Sequence, residues 1–553
     1  MFTALWNKPA DRVRWWLCGA GLVLLALVVG APAIDRIPLE SHEIFVVQST
    51  REMAARGDWL TPWFNGQPRL NKPPFNYWAT GAVAALDGSL PVAEAWHARA
   101  VSVAAGAGMV LLTLWLGVVL FDRATAGLAA LLLVSSAGLF TYTHNARPDM
   151  LYAFFVTALL ASAIAALRRV AAAGGAGNSQ ATVWHYAALA WLGFAAATLT
   201  KGPHVPAMAL LGVAIAGWRE SGGWRPVLGG LHLGKGLACV LLACGSWWLW
   251  LRLQLDRETL GGSQLGGSLL MPSLAKLGDP YYFYRPLQLL APWLPLVLGS
   301  AAMFALPAVR RDTSWLWWPL LATCLVLSLG RQYRYFYLLP MLTPLCLLLA
   351  RGLVMGLKAD GARWVRPALW LALGLQLVVT LAAAGWVLVK SGRAGWLTPT
   401  VLGLGAGLGL AAATFLALRR RDVRYALLAA MGLVTASLWP GAALNGVLWA
   451  KERYESARLA SEVARVAGAD LPVATFGLPP TLYVHATNRR VRRFEHPERL
   501  AAQRERSPGG QWVLVVSSDR MKELPGGLPW RELDRTRHGG REEVLLLVGA
   551  TAP

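Results

Sequence analysis

The sequence predicts a polytopic α-helical membrane protein with about thirteen transmembrane helices, interfacial helices in the first outer loop and a small C-terminal α/β domain outside the membrane. Three observations predict it. The chain is 56% hydrophobic and only 15% charged over 553 residues, more apolar than a soluble domain of this size requires. Apolar runs of about 20 residues, enough to cross the hydrocarbon layer as a helix, recur along it. Beyond residue 450 the composition turns charged.

Thirteen spanning segments are expected, at 13–33, 97–120, 124–142, 149–169, 184–200, 204–218, 234–254, 286–306, 314–330, 335–352, 366–389, 399–418 and 423–444. The first is too long for a signal-peptide core and lacks a clear small-residue cleavage site, so it reads as a retained helix. Basic residues gather at the N-terminus (Lys8, Arg12, Arg14) and in alternate connections, including Arg168/Arg169, Arg310/Arg311 and Arg419 to Arg421. The positive-inside rule makes that side cytoplasmic. The first loop, 34–96, and the C-terminus then lie outside. This pattern accounts for the net charge of +22 without nucleic acid. The five cysteines all lie in apolar runs, with neither metal-site spacing nor an implied disulfide.

Within the first loop, Ile44 to Arg56 carries apolar residues at helical spacing, and Phe75 to Leu86 is short and aromatic. Both suit helices lying at the membrane interface. The two expected domains are 1–450, which includes this loop, and 451–553. The latter has 17 basic and 13 acidic residues, a net +4, with a helix at 452–467 and strands at 471–476, 511–517 and 543–548. Its turns are Pro479-Pro480 and Gly526-Gly527.

The polar outliers collect on the outer face, and ionisable residues beside a membrane are costly enough to be functional candidates. Glu40, His42 and Glu43 come first: such groups can take a proton from an acceptor hydroxyl, and equally Ser41 followed by acidic residues can cap a helix. His144, Arg147 and Asp149 form a second group, with Pro148 starting a helix and Asp149 in its first turn, again a capping position. Lys72, Lys201, Arg285 and the pair Arg331/Arg334 are cations on the same face, interleaved with Tyr333, Tyr335 and Tyr337. Singly each suits a snorkelling cation; together they suit a phosphate or pyrophosphate head group. Imidazole and carboxylate pairs leave a divalent cation possible, although no metal-ligand spacing is present.

Several motifs carry a resemblance. Arg51-Glu52-Met53, Gly57-Asp58-Trp59, Asn65-Gly66, Lys72-Pro73-Pro74 and Tyr77-Trp78 follow the first helix. Ala146-Arg147-Pro148-Asp149, Leu199 to Pro203, Tyr281 to Pro286 and Arg334-Tyr335 to Pro340 come later. The chain resembles, over roughly residues 10–350, the bacterial lipid A aminoarabinose transferases, within the protein O-mannosyltransferase-like group of the GT-C superfamily. The resemblance implies an inverting glycosyltransferase of the bacterial inner membrane. Such an enzyme moves a sugar from a polyprenyl-phosphate carrier to a lipid, glycan or protein acceptor on the periplasmic side. It further implies a first-loop carboxylate acting as base or orienting the acceptor, a lysine of Lys-Pro holding the carrier phosphate, and an assisting Asp149. On the present chain the phosphate-holding role falls to Lys72, helped by Lys201, Arg147, Arg334, Tyr335 and Arg285. Two departures matter. His42-Glu43 stands where the family has Asp-Glu, leaving Glu43, Glu40 and His42 as candidate bases. Asn71 stands where the aminoarabinose transferases commonly have Glu, so neither their zinc site nor their sugar carries over directly.

Two other classes compete. A transporter or flippase for an anionic lipid-linked sugar would explain the cations, but predicts ionisable groups at mid-membrane depth, whereas here charges stay at the ends of apolar runs. A non-catalytic scaffold would explain His42 but not the retained Glu43, Lys72 and Asp149.

Overall fold

The computed structural model describes residues 9–172, 178–261, 279–304, 307–330, 333–358, 365–391, 405, 409, 423–444, 451–505, 510–538 and 541–549. The chain divides into two compact units. One comprises Met1–Ile34, Leu70–Asn76 and Arg99–Val447; the other comprises Asp35–Arg69, Tyr77–Ala98 and Leu448–Pro553. The expected domains kept the first loop with the spanning helices. In the structure most of that loop shares a unit with the C-terminal residues instead.

The first unit is helical and multi-pass. Among the described residues, five helices are long and apolar enough to cross a membrane: Ala95–Leu120, Asp149–Ala172, Leu233–Gln254, Tyr335–Leu357 and Trp370–Val389. A sixth is counted if Arg123–Val134 and Ala137–Thr143 form one span, bent by 53°. Of the other expected spans, 286–306 and 314–330 hold shorter helices, Leu294–Met303 and Ser314–Ser328. The segment expected at 399–418 lies almost wholly outside the described residues, as does Arg331. The bend falls at Ser135-Ser136. Ser135 Oγ donates to the Leu131 carbonyl at 2.6 Å, and Ser136 Oγ accepts the Leu139 amide at 3.2 Å. Hydroxyls that bond backbone groups locally end one helix and start another.

The second unit contains every strand of the described residues. The first loop supplies the helix Ser41–Arg56 and a two-residue hairpin, β1 (Trp63–Phe64) and β2 (Gln67–Pro68). Asn65 and Gly66 form its turn with φ of +55° and +74°, the left-handed pair that an Asn-Gly hairpin turn requires. The C-terminal residues build a five-stranded mixed sheet from β3 (Val473–Phe476), β4 (Arg492–Phe494), β5 (Trp512–Ser517), β6 (Trp530–His538) and β7 (Arg541–Val548). Its order is β4-β3-β5-β7-β6; β4, β3 and β5 run parallel, while β7 and β6 run antiparallel. Alternation along β5 feeds two cores. Val513 and Val515 meet Leu459 and Val463 of the helix Lys451–Ala467, while Trp512, Leu514 and Val516 pack with Phe476 and Leu500.

Candidate active site

The polar centre of the first unit is built where two connections between apolar helices meet. The helix Ala137–Thr143 ends at His144, and the next helix begins at Asp149. Between them the Arg147 amide donates to Asn145 Oδ1 at 2.9 Å, a local turn that presents the Arg147 side chain. The second connection is Lys201-Gly202-Pro203, between the helices Asn178–Thr200 and His204–Ser221. Gly202 takes φ +127°, a conformation L side chains avoid, and its carbonyl accepts the Tyr152 hydroxyl at 3.0 Å. Tyr152 lies three residues beyond Asp149, on the same helix face, and so ties the two connections together.

Asp149 is where the cations converge. Lys201 Nζ donates to its Oδ1, and Arg147 Nε sits 3.2 Å from its Oδ2. Lys72, half-buried in the Lys-Pro-Pro turn, also acts on it electrostatically. The Asp149 side chain is 3% exposed and that of Lys201 10%. A carboxylate at a helix N-terminus is favoured by the free amides there, and this one additionally organises cations. Each Asp149 oxygen thus faces a cation. Three cations against one carboxylate leave the cluster net positive.

Aromatic rings close round it. The Arg147 guanidinium lies 4.5 Å from the Phe336 centroid, and Lys201 Nζ lies 4.6 Å from that of Tyr337 and 5.5 Å from that of Tyr152. These are cation–π distances. Tyr335 lies beside Tyr142. The Arg334 amide donates to the Tyr282 hydroxyl at 3.1 Å. Beside Tyr282 opens an apolar cavity of about 200 Å³, lined by residues such as Leu290, Phe304, Trp317, Leu338 and Leu348.

The structure thus brings together Lys72, Arg147, Asp149 and Lys201, with Tyr335 in their aromatic surround. Arg285 instead lies over Tyr281 and Tyr284 at about 6 Å. His144 belongs to the packing: its Nε2 and Nδ1 each lie 2.9 Å from a carbonyl oxygen, of Pro32 and Phe140. Tyr142, Tyr152 and Phe336 were missed in the sequence. For Tyr152, the three-residue spacing from Asp149 was the available signal.

The first-loop acids belong to the second unit. Glu40, not Ser41, is the cap residue of the helix Ser41–Arg56, and Glu40 and Glu43 form a capping box. The Glu40 amide donates to Glu43 Oε2 at 3.0 Å, and Arg453 Nη2 pairs with the same oxygen. Glu43 is wholly buried, Glu40 half-buried and His42 exposed. Further along, Glu52 accepts the hairpin-turn amides of Asn65 and Gly66 at 2.7 and 2.9 Å. Burial works against the charge of Asp58. The Trp63 indole and the Thr61 and Leu60 amides outweigh it and hold the carboxyl below its usual range. Among the described residues, no three His, Cys, Asp or Glu side chains come close enough together to hold a metal ion.

Comparison with known proteins bears on the family and the fold. Residues 41–242 match the family described as dolichyl-phosphate-mannose-protein mannosyltransferase. The chain is 28% identical over 374 residues to the undecaprenyl phosphate-α-4-amino-4-deoxy-L-arabinose arabinosyl transferase of Pseudomonas paraeruginosa, covering 63% of this chain and 62% of that one. It is 30% identical to a counterpart from Sodalis glossinidius, over 60% of this chain and 59% of that one. The chain therefore spans about three fifths of the length of the curated relatives it matches, 62% for the first. In fold it is similar to ArnT from Cupriavidus metallidurans, with a TM-score of 0.71 at 19% identity over 97% of this chain and 98% of that one. A second structure of that ArnT, bound to undecaprenyl phosphate, superposes with a TM-score of 0.70. The resemblance drawn from the sequence motifs is borne out by family match, relatives and fold.

Proposed function

We propose that this chain, a relative of the protein O-mannosyltransferase-like group with an ArnT-like fold, is an inverting glycosyltransferase. It moves a sugar from a polyprenyl-phosphate carrier to an acceptor on the periplasmic face of the bacterial inner membrane. One observation carries the reading: the net-positive cluster of Lys72, Arg147 and Lys201 around Asp149, ringed by aromatic side chains. A phosphate leaving group needs positioned cations to take its developing charge, and an apolar cavity in the same unit suits a prenyl chain. With thirteen spans and basic connections inside, the cluster and the C-terminal domain lie on the periplasmic side.

In the reaction the bond from the anomeric carbon to the phosphate oxygen breaks and a bond from that carbon to the acceptor oxygen forms. The polyprenyl phosphate departs with the electron pair, steadied by the three cations. The acceptor proton passes to a first-loop group. Burial and ion pairing of Glu43 favour His42, exposed on the same helical turn, with Glu40 beside it. A neutral imidazole is a competent base near pH 7. The names of the relatives make aminoarabinose the first sugar to try and lipid A the first acceptor. A flippase would need ionisable groups deep in the bilayer, whereas Asp149 and Lys201 lie at helix ends.

The test is reconstitution of the purified chain in vesicles with undecaprenyl-phosphate-aminoarabinose and lipid A, reading product and released undecaprenyl phosphate by mass spectrometry. Transfer by wild type and its loss in Lys72→Ala are expected. Movement of intact donor between leaflets with no sugar released would overturn the reading.

A further inference from the structure

We propose that Arg453 is a positioning residue for the first-loop turn Ser41-His42-Glu43, so that the C-terminal domain sets the geometry of the loop that carries the acid–base group. This rests on the transferase reading above.

The ion pair joins residues 410 apart in the chain. Glu43 is completely buried, and the Arg453 side chain is 18% exposed. A buried carboxylate is tolerated only when paired and hydrogen-bonded, and Glu43 meets both conditions through Arg453 and the Glu40 amide. Arg453 comes from the helix Lys451–Ala467, whose inner face (Leu459, Val463) is anchored in the core of the C-terminal sheet. The guanidinium is therefore held by a rigid element rather than by a mobile tail.

The rest of the first loop is fastened to the same domain. Gln48 Nε2 donates to Asn488 Oδ1 at 3.2 Å, and Arg51 Nη1 to the His485 carbonyl at 3.3 Å. Asn65 exchanges two hydrogen bonds of 2.9 Å with the backbone of Val491. These contacts hold the middle of the helix and the hairpin, and Arg453 holds the first turn. Successive helical residues point about 100° apart. Drawing Glu43 inward toward Arg453 therefore turns its neighbour His42 outward, where it is exposed. Removing the guanidinium takes one buried ion pair from Glu43, loosens the capping box and lets the first turn reorient. Lys72 and Lys201, which take the carrier phosphate in this reading, belong with Asp149 to the other unit.

The experiment is steady-state transfer by the full-length enzyme with varied undecaprenyl-phosphate sugar, comparing wild type, Arg453→Gln, Arg453→Lys, Glu43→Gln and the Glu43/Arg453 double variant. Arg453→Gln is expected to lower kcat about tenfold or more with donor KM within about twofold. Arg453→Lys, which keeps a cation, recovers much of the loss. The double variant is no slower than the slower single variant, because both act through one contact. Unchanged kcat in Arg453→Gln, a rise in donor KM that accounts for the loss, or single effects that multiply would each overturn the proposal. If Arg453→Gln fails to fold, the cycle is run with Arg453→Met and Glu43→Gln under the same criteria. Absence of transfer by wild type would instead defeat the transferase reading itself.

Discussion

The ammonium of Lys201 meets the carboxylate of Asp149 across 52 residues of chain, with both side chains almost wholly buried. Each comes from the end of an apolar helix, and Tyr152 fastens the two ends by bonding the Gly202 carbonyl. Removing the Asp149 charge strands the buried Lys201 ammonium, a loss of about 3–5 kcal/mol for buried pairs, whereas without Lys201 the carboxylate keeps Arg147. Asp149→Asn and Lys201→Met should each reduce transfer by about 100-fold or more. The double variant should lose less than the product of the two, because the pair works as a unit. Initial rates with purified protein check this. Near-wild-type rates in either single variant would remove the cluster from the reaction.

The Asn65 side chain bonds the Val491 amide and carbonyl while its own backbone sits at φ +55°. These two features separate by substitution. Asn65→Gly keeps the turn but loses two hydrogen bonds, at about 1 kcal/mol each. Asn65→Ala loses them and also strains the backbone, adding about 1 kcal/mol. Thermal unfolding of the purified protein should therefore rank wild type above Asn65→Gly above Asn65→Ala. Equal midpoints for all three would show that the clasp adds nothing to stability.

His485 lies on the helix Thr481–Thr487, where burial, aided by the nearby Arg51 guanidinium, lowers its pKa to about 3. Unfolded, it titrates near 6.5. Between those values the unfolded chain binds the extra proton, so stability rises with pH. This contribution is complete above about pH 6.5 and is lost at about 1 kcal/mol per pH unit below it. Unfolding midpoints measured from pH 7.5 to pH 5 should fall more steeply for wild type than for His485→Gln. Parallel curves would exclude the histidine as the source.

Much of the helical unit was legible because hydropathy is a local property. The expected spans at 97–120 and 423–444 correspond to the helices Ala95–Leu120 and Val423–Leu444. Expected strands at 471–476, 511–517 and 543–548 coincide with β3, β5 and most of β7. β6 escaped because its sequence, WRELDRTRH, is charged and lies at the sheet edge. Pairing with β7, rather than apolar alternation, makes it a strand. The bend inside 124–142 was signalled by Ser135-Ser136, but a serine pair alone does not reveal that both hydroxyls turn back to the backbone.

The candidate site divides in the same way. The sequence by itself determined which ionisable residues stand at the ends of apolar runs, since a charge costs too much inside the hydrocarbon layer to be placed anywhere else. It therefore identified Lys72, Arg147, Asp149 and Lys201. Only the tertiary structure decided which cation meets which carboxylate. It matched Asp149 with Lys201 and Arg147, and buried Glu43 against Arg453 while leaving His42 exposed. The physical reason is range: hydropathy and capping are read within one helical turn, whereas an ion pair between residues 410 apart exists only once distant elements have packed.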